Sequence, residues 1–299
     1  MMVRGRILTI TCTVLLICSS FVLATAVWYI YRESTALEKQ YACDMAVRTV
    51  NAITADMDAL GDLCSDYAYW DNTCQYIEKP DQAFLELLYP TITFSRCDLQ
   101  YVAVMTLDGA VVAELSYDTV NRRRITQYPD IIPAVQNNQL FFQKGDDIQP
   151  RKGLMRTGEH LWALVAYPVL TSKVEGPAQG TLVFGRIIDN RYLQYLSKRI
   201  LATPELVPLD SDSPSAWSSS SEKADILTRI GPKNGTMEGV VLLRDIHHRA
   251  IAQLRIPISR FIRQHTIRSL YTMILAITIW VALAGILLVY LLDKQILSR

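Results

Sequence analysis

The chain has 299 residues, half of them hydrophobic, and its 30 basic and 29 acidic residues leave a net charge of +1. That balance excludes the basic surface of a nucleic-acid binder, so no nucleic acid is expected as a partner. The six cysteines form no C-x-x-C pair, which argues against a zinc site.

Ile7 to Tyr31 is apolar and uncharged, and it exceeds the roughly 20 residues a helix needs to cross a bilayer. A cleaved signal peptide is the competing reading, because Ala24-Thr25-Ala26 has the small-x-small form. The apolar run outlasts a usual h-region and continues through Trp28-Tyr29-Ile30-Tyr31, so an uncleaved anchor fits better. Beyond it, Cys43, Ala46, Val50, Ile53, Met57, Leu60 and Cys64 recur in alternating steps of three and four. That is the seam of a left-handed helix pair, and it predicts one long rod that packs against another helix, as in a homodimer.

Asp62 to Glu78 gathers Tyr67, Tyr69, Trp70 and Tyr76 with several acids. Asp81 is placed to cap a helix running to Tyr89, ended by Pro90. Leu99 to Leu107 and Ala110 to Leu115 read as a hairpin whose Asp108-Gly109 suits a type I′ turn. Arg122-Arg123-Arg124 reads as a solvated loop, with anion binding the alternative. Pro129 to Phe142 reads as a short helix with Pro133 in its first turn.

Leu161 to Leu170 and Gly180 to Ile188 read as paired strands, the third and fourth of one sheet. Asp189 or Asn190 caps a helix whose Leu193, Leu196 and Ile200 share a face. Asp210 to Ser221 is a serine-rich loop around Pro214. Asp225 to Ile230, Gly239 to Asp245 and Ala250 to Pro257 read as three further strands, and Arg260 returns as helix.

A second uncharged run, Leu270 to Leu292, closes the chain. Two spans place both termini on one side of the membrane. Arg4, Arg6, Lys294 and Arg299 favour the cytoplasm, while Arg260, Arg263 and Arg268 oppose it weakly across a long domain. The plan is a cytoplasmic N-terminus 1–6, membrane helix 7–31, stalk helix 32–65, sensor domain 66–268 built with the stalk, membrane helix 269–292 and the start of a cytoplasmic linker 293–299.

Cys43 and Cys64 cannot bond to each other along one rod. Pairing among Cys64, Cys74 and Cys97, pairing of Cys43 with its twin, and small buried thiols all stay open. No G-x-S-x-G, H-E-x-x-H, phosphate loop or G-x-G-x-x-G occurs, and His247-His248 is most simply a turn. The reading is a non-enzyme without metal or cofactor.

Three stretches together resemble the CHASE-type extracellular sensory domains, in particular their fourth class. The first is Tyr67-Ala68-Tyr69-Trp70-Asp71-Asn72, with Asn72 where a second acid is common. The second joins Ala166-Tyr167-Pro168-Val169-Leu170-Thr171-Ser172 to Glu175-Gly176-Pro177-Ala178-Gln179-Gly180 and Gly185-Arg186. The third is Asp245-Ile246 with Ile256-Pro257, where His248-Arg249-Ala250 replaces the family's frequent Gly-x-Pro. The resemblance implies an α+β, Cache/PAS-like extracytoplasmic sensor domain with a long N-terminal helix and an antiparallel sheet, flanked by two membrane helices and usually dimeric. Trp70, Asp71, Gly176, Pro177, Gly180 and Arg186 match its motif positions.

Candidate ligand-binding residues are Tyr67, Trp70, Asp71, Tyr101, Trp162 and Arg186, because aromatic walls with one acid and one base suit a small polar ligand. Leu291 to Arg299 resembles the entry to a signalling linker, so a histidine-kinase or cyclic-di-nucleotide output is expected downstream or in a separate chain. The alternative function is a membrane-anchored interaction protein that docks an extracytoplasmic partner.

Overall fold

The structure is a computed structural model and describes residues 2–138, 149–207, 209, 226–230, 237–258 and 261–297. It divides into two compact units, Met1–Ala42 with Ile230–Met237 and Ile258–Arg299, and Cys43–Arg229 with Glu238–Pro257.

No proline precedes Pro80, and nothing interrupts the first helix, α1, which runs Met2–Ala68. It stops where Trp70 turns extended, at φ −125° and ψ 127°. Three short helices follow: α2 (Asp71–Glu78), α3 (Gln82–Leu88) and α4 (Thr91–Cys97). Pro80 and Pro90 separate them by forcing the preceding residues out of the helical region. The Asp81 carboxylate caps α3 by accepting the Ala83 amide at 3.1 Å. Asp98, left-handed at φ 48°, ends α4.

The larger sheet has six antiparallel strands in the order β3-β2-β1-β6-β5-β4. They are β1 (Tyr101–Thr106), β2 (Val111–Asp118), β3 (Arg123–Ile125), β4 (Arg151–Thr157), β5 (His160–Val169) and β6 (Gly180–Ile187). Its register with β4 ends at Ala166, so Pro168, which lacks an amide donor, lies beyond that pairing. One sheet face packs against the end of α1 and against α2 to α4 through Leu60, Cys64, Tyr89, Phe94, Val102 and Phe184. The other packs Tyr101, Met105, Trp162 and Val183 under α5 (Ile131–Gln136). The helix α6 (Asn190–Ile200), capped by Asp189 on the Tyr192 amide at 2.8 Å, follows β6.

A second sheet has the order β7-β10-β9-β8, with β7 (Glu205–Val207), β8 (Ile226–Ile230), β9 (Met237–Arg244) and β10 (Ala250–Ile258). Its β9–β10 turn touches the first sheet: Asp245 bridges Leu154 of β4, and the Ile246 amide donates to the Leu154 carbonyl at 3.2 Å. The helix α7 (Phe261–Leu297) closes the chain. Among the described residues, Arg268–Leu287 is the one segment long and apolar enough to cross a membrane.

Several expectations are corrected. In the β1–β2 turn only Gly109 has positive φ, 90°, and its amide donates to the Thr106 carbonyl. Type I′ needs two such residues, so this is the three-residue form over Leu107, Asp108 and Gly109. Arg123 and Arg124 belong to a strand rather than a loop, and Arg124 donates to the Tyr89 carbonyl at 2.9 Å, capping α3. The rod's seam is not reserved for a second helix: Leu60 and Cys64 are buried against this chain's own sheet. Strands β4 and β7 and helices α2 and α4 went unread. The helix expected over Pro129–Phe142 spans only Ile131–Gln136 and has ended by Asn137, while residues 139–142, Asp210–Ser221 and Arg260 lie outside the described residues.

Candidate ligand site

The first two resemblance stretches are hydrogen-bonded to each other at the end of α1. The Leu170 amide donates to the Ala68 carbonyl at 3.1 Å. Asp71 accepts the Ser172 amide at 2.8 Å while its own amide donates to the Ser172 hydroxyl at 3.2 Å. The Ser172 amide, then its hydroxyl, hold the Asp71 carboxyl below its ordinary value. Trp70 sits at this clamp, 41% exposed, edge-on to Tyr67 at 6.2 Å. Tyr67 in turn stacks on Tyr89 at 5.3 Å.

The motif glycines serve the backbone. Gly176 has φ 89° in an open turn, whereas a Cβ on Gly180 would collide with the Met105 carbonyl. Arg186 donates to the Cys97 carbonyl at 2.7 Å and to the Asp98 carbonyl at 3.1 Å, closing the last turn of α4.

The six predicted site residues therefore do not form one pocket. Tyr67, Trp70 and Asp71 mark the stalk junction, and Arg186 caps a helix on that same side of the sheet. Tyr101 and Trp162 meet on the opposite face, their rings edge to face at 6.0 Å. Trp162 also meets Tyr128 at 5.0 Å, and its indole donates to Thr157 at 3.0 Å.

On that face lie two polar residues the sequence reading missed. Glu114 and Ser116 alternate with Ala113, Leu115 and Tyr117 along β2, and Ser116 pairs in register with Tyr101. Burial raises the acid of Glu114, partly offset by the nearby Tyr101 hydroxyl. Burial and then the Glu114 charge push the Tyr101 phenol well above its ordinary value. Even so, Tyr101 Oη, Glu114 Oε1 and Ser116 Oγ complete no hydrogen bond. Each such atom costs roughly 1–3 kcal/mol if nothing meets it, so a cluster of them calls for a bound group or ordered water to meet it.

A cavity of about 500 Å³ opens beside the far edge of this face, between α5, β4 and the β9–β10 turn. Met155 and Ile251 give it apolar walls, and Asn137, Arg156 and His247 give it polar ones. Asp245 organises the turn. Burial would raise its acid, but the Arg249 amide and guanidinium and the His247 amide outweigh that and lower it. His248, where the resembling family often has glycine, carries φ 61°, a conformation that favours glycine. Among the described residues no group of His, Cys, Asp and Glu is arranged to hold a metal.

A stalk helix clamped to one face of a six-stranded antiparallel sheet, with a short helix on the other, defines an α+β domain. The chain belongs to the CHASE4 domain family, a sensory-domain family, whose match spans residues 52–206. No curated protein matches it. It is similar in outline to a domain of a sensory box/GGDEF family protein from Vibrio parahaemolyticus, at 12% identity and TM-score 0.49 over 76% of this chain and 97% of that one. It is also similar to the periplasmic domain of Vibrio cholerae LuxQ, at 9% identity and TM-score 0.47 over 73% and 99%. The sensor domain of the V. cholerae histidine kinase DctB gives 11% identity and TM-score 0.42 over 75% and 98%.

Proposed function

We propose that this protein is a membrane-anchored extracytoplasmic sensor that binds a small molecule and passes the event to a histidine-kinase or cyclic-di-nucleotide output, downstream or in a partner chain. The observation that carries the reading is the CHASE4 match over 52–206, in a chain that also holds the apolar helix Arg268–Leu287. In this reading Ile7–Tyr31 is the second anchor. Most of its described side chains, Phe21 and Trp28 among them, are exposed, and the Arg32 guanidinium sits 5.5 Å from the Trp28 ring, as in an interfacial aromatic belt. Occupancy of the sheet face shifts a two-state equilibrium only by the ligand's differential affinity for the two states. The second copy of a homodimer packs along the exposed Leu37, Tyr41 and Val47 side of α1, because the Leu60–Cys64 end is filled by the protein's own sheet.

The test is topology. Leu201, 87% exposed, is replaced by cysteine in the full chain, and intact cells are treated with a membrane-impermeant maleimide. Labelling above the background of the native cysteines is the expected result. Labelling that appears only after lysis overturns the reading.

A further inference from the structure

On its α5 side the large sheet buries a trio of polar groups, Tyr101 Oη, Glu114 Oε1 and Ser116 Oγ, that complete no hydrogen bond of ordinary geometry, with the Tyr101 hydroxyl close to the Glu114 carboxyl and Thr181 Oγ1 a fourth such atom on the same face. Register makes them neighbours. Tyr101 lies opposite Ser116, and Glu114 lies opposite Ala103 two residues along the same face. Around them are Ile131, Val135, Met105 and Val183, none of which offers a donor or acceptor from its side chain.

We propose that this trio is the binding site for a small organic ammonium ion, held by the Glu114 carboxylate and by the Tyr101 and Ser116 hydroxyl oxygens. The inference rests on the sensor reading and names the ligand class of that sensor.

The count of groups favours it. A primary ammonium has three N–H donors, which the ionised Glu114 carboxylate and the lone pairs of the Tyr101 and Ser116 hydroxyls can accept. The charge agrees too, since no basic side chain accounts for the state of Glu114, whose neighbour is the Tyr101 hydroxyl. An anion is repelled by the carboxylate, and a neutral alcohol brings no charge to answer it. The aromatic cluster of Tyr101, Trp162 and Tyr128 on the same face supplies the electron-rich ring faces that attract organic cations.

The experiment uses the full chain in nanodiscs, with thermal unfolding followed in methylammonium or n-propylammonium chloride at tens of millimolar. Sodium chloride, n-propanol and sodium propionate at matched ionic strength are the controls. At least one ammonium is expected to raise Tm by about 2 °C or more over every control. Glu114→Gln is expected to abolish that rise while the protein stays folded, and Tyr101→Phe and Ser116→Ala are expected to reduce it. Should the Gln variant fail to fold, the Phe and Ala variants decide. No rise with either ammonium, an equal rise with propanol, or a rise that survives Glu114→Gln overturns the proposal. Water alone filling the site gives the first of these results. If the ammonium ions are inert while Leu201→Cys labels from outside, this site is wrong and the sensor reading stands. If Leu201→Cys is sealed from the outside, the sensor reading fails whatever the ammonium ions do.

Discussion

Glu114 is the residue whose chemistry departs furthest from its surroundings. Burial holds its folded acid above the ordinary value, so the folded chain binds a proton more tightly there than the unfolded chain. The sign follows: this group lets stability fall as pH rises from about 4.3, the unfolded value, through its raised folded value. Glu114→Gln is expected to remove that component, and urea melts across pH 4 to 8 read it as a flatter stability profile. Asp71 works the other way, being lowered by Ser172, so its contribution is present above about 3.9 and fades as pH falls. Gly180 and Gly176 look alike in sequence and differ in space. Gly180→Ala meets the Met105 carbonyl and is expected to lose about 3 kcal/mol or more, while Gly176→Ala faces open space and is expected to lose about 1 kcal/mol. Denaturant titration separates them.

At the scale of elements, what was legible depended on whether the signal was local. The rod was readable because nothing breaks a helix before Pro80. The caps at Asp81 and Asp189 were readable because the side chain that makes each cap stands beside it. Arg124, Arg186 and β4 were not. The two arginines cap α3 and α4 from distant strands, and β4 begins Arg151-Lys152-Gly153, which carries no strand pattern. Glu114 and Ser116 had a signal that was passed over. Every residue of β1 from Tyr101 to Met105 is buried, which requires cover on both sheet faces, so of the polar residues on neighbouring β2 Ser116 is buried and Glu114 is half-buried. The rod also yields a prediction. Leu60 is buried against the sheet, and Leu60→Ala is expected to cost 2–5 kcal/mol of the order found for such cavities. Asp58→Ala breaks only the exposed pair with Lys152 and is expected to cost less than about 0.5 kcal/mol. Thermal unfolding of both variants checks the contrast.

For the whole molecule, the family and its fold class were within reach of three short stretches, and the candidate pocket was not. Asp71, Gly180 and Arg186 all make contacts that hold the fold together, and clamps and pockets draw on the same residue types. The unit Cys43–Arg229 with Glu238–Pro257 contains the large sheet, most of the second and their join at Leu154 and Asp245. Asp245→Ala is expected to free the β9–β10 turn from β4. Hydrogen exchange at the Ile246 amide, which donates to the Leu154 carbonyl, should then speed up while exchange in β1 does not.

That join has a bearing on how the protein tolerates crowding. β4 is the last strand of its sheet, and an uncovered last strand invites a neighbouring molecule to add one of its own. The turn hooked onto Leu154 occupies the middle of that strand, leaving only short lengths on either side. Shortening the turn should expose a ready template, and the protein would then be expected to polymerise edge to edge at concentrations where the intact chain remains dispersed.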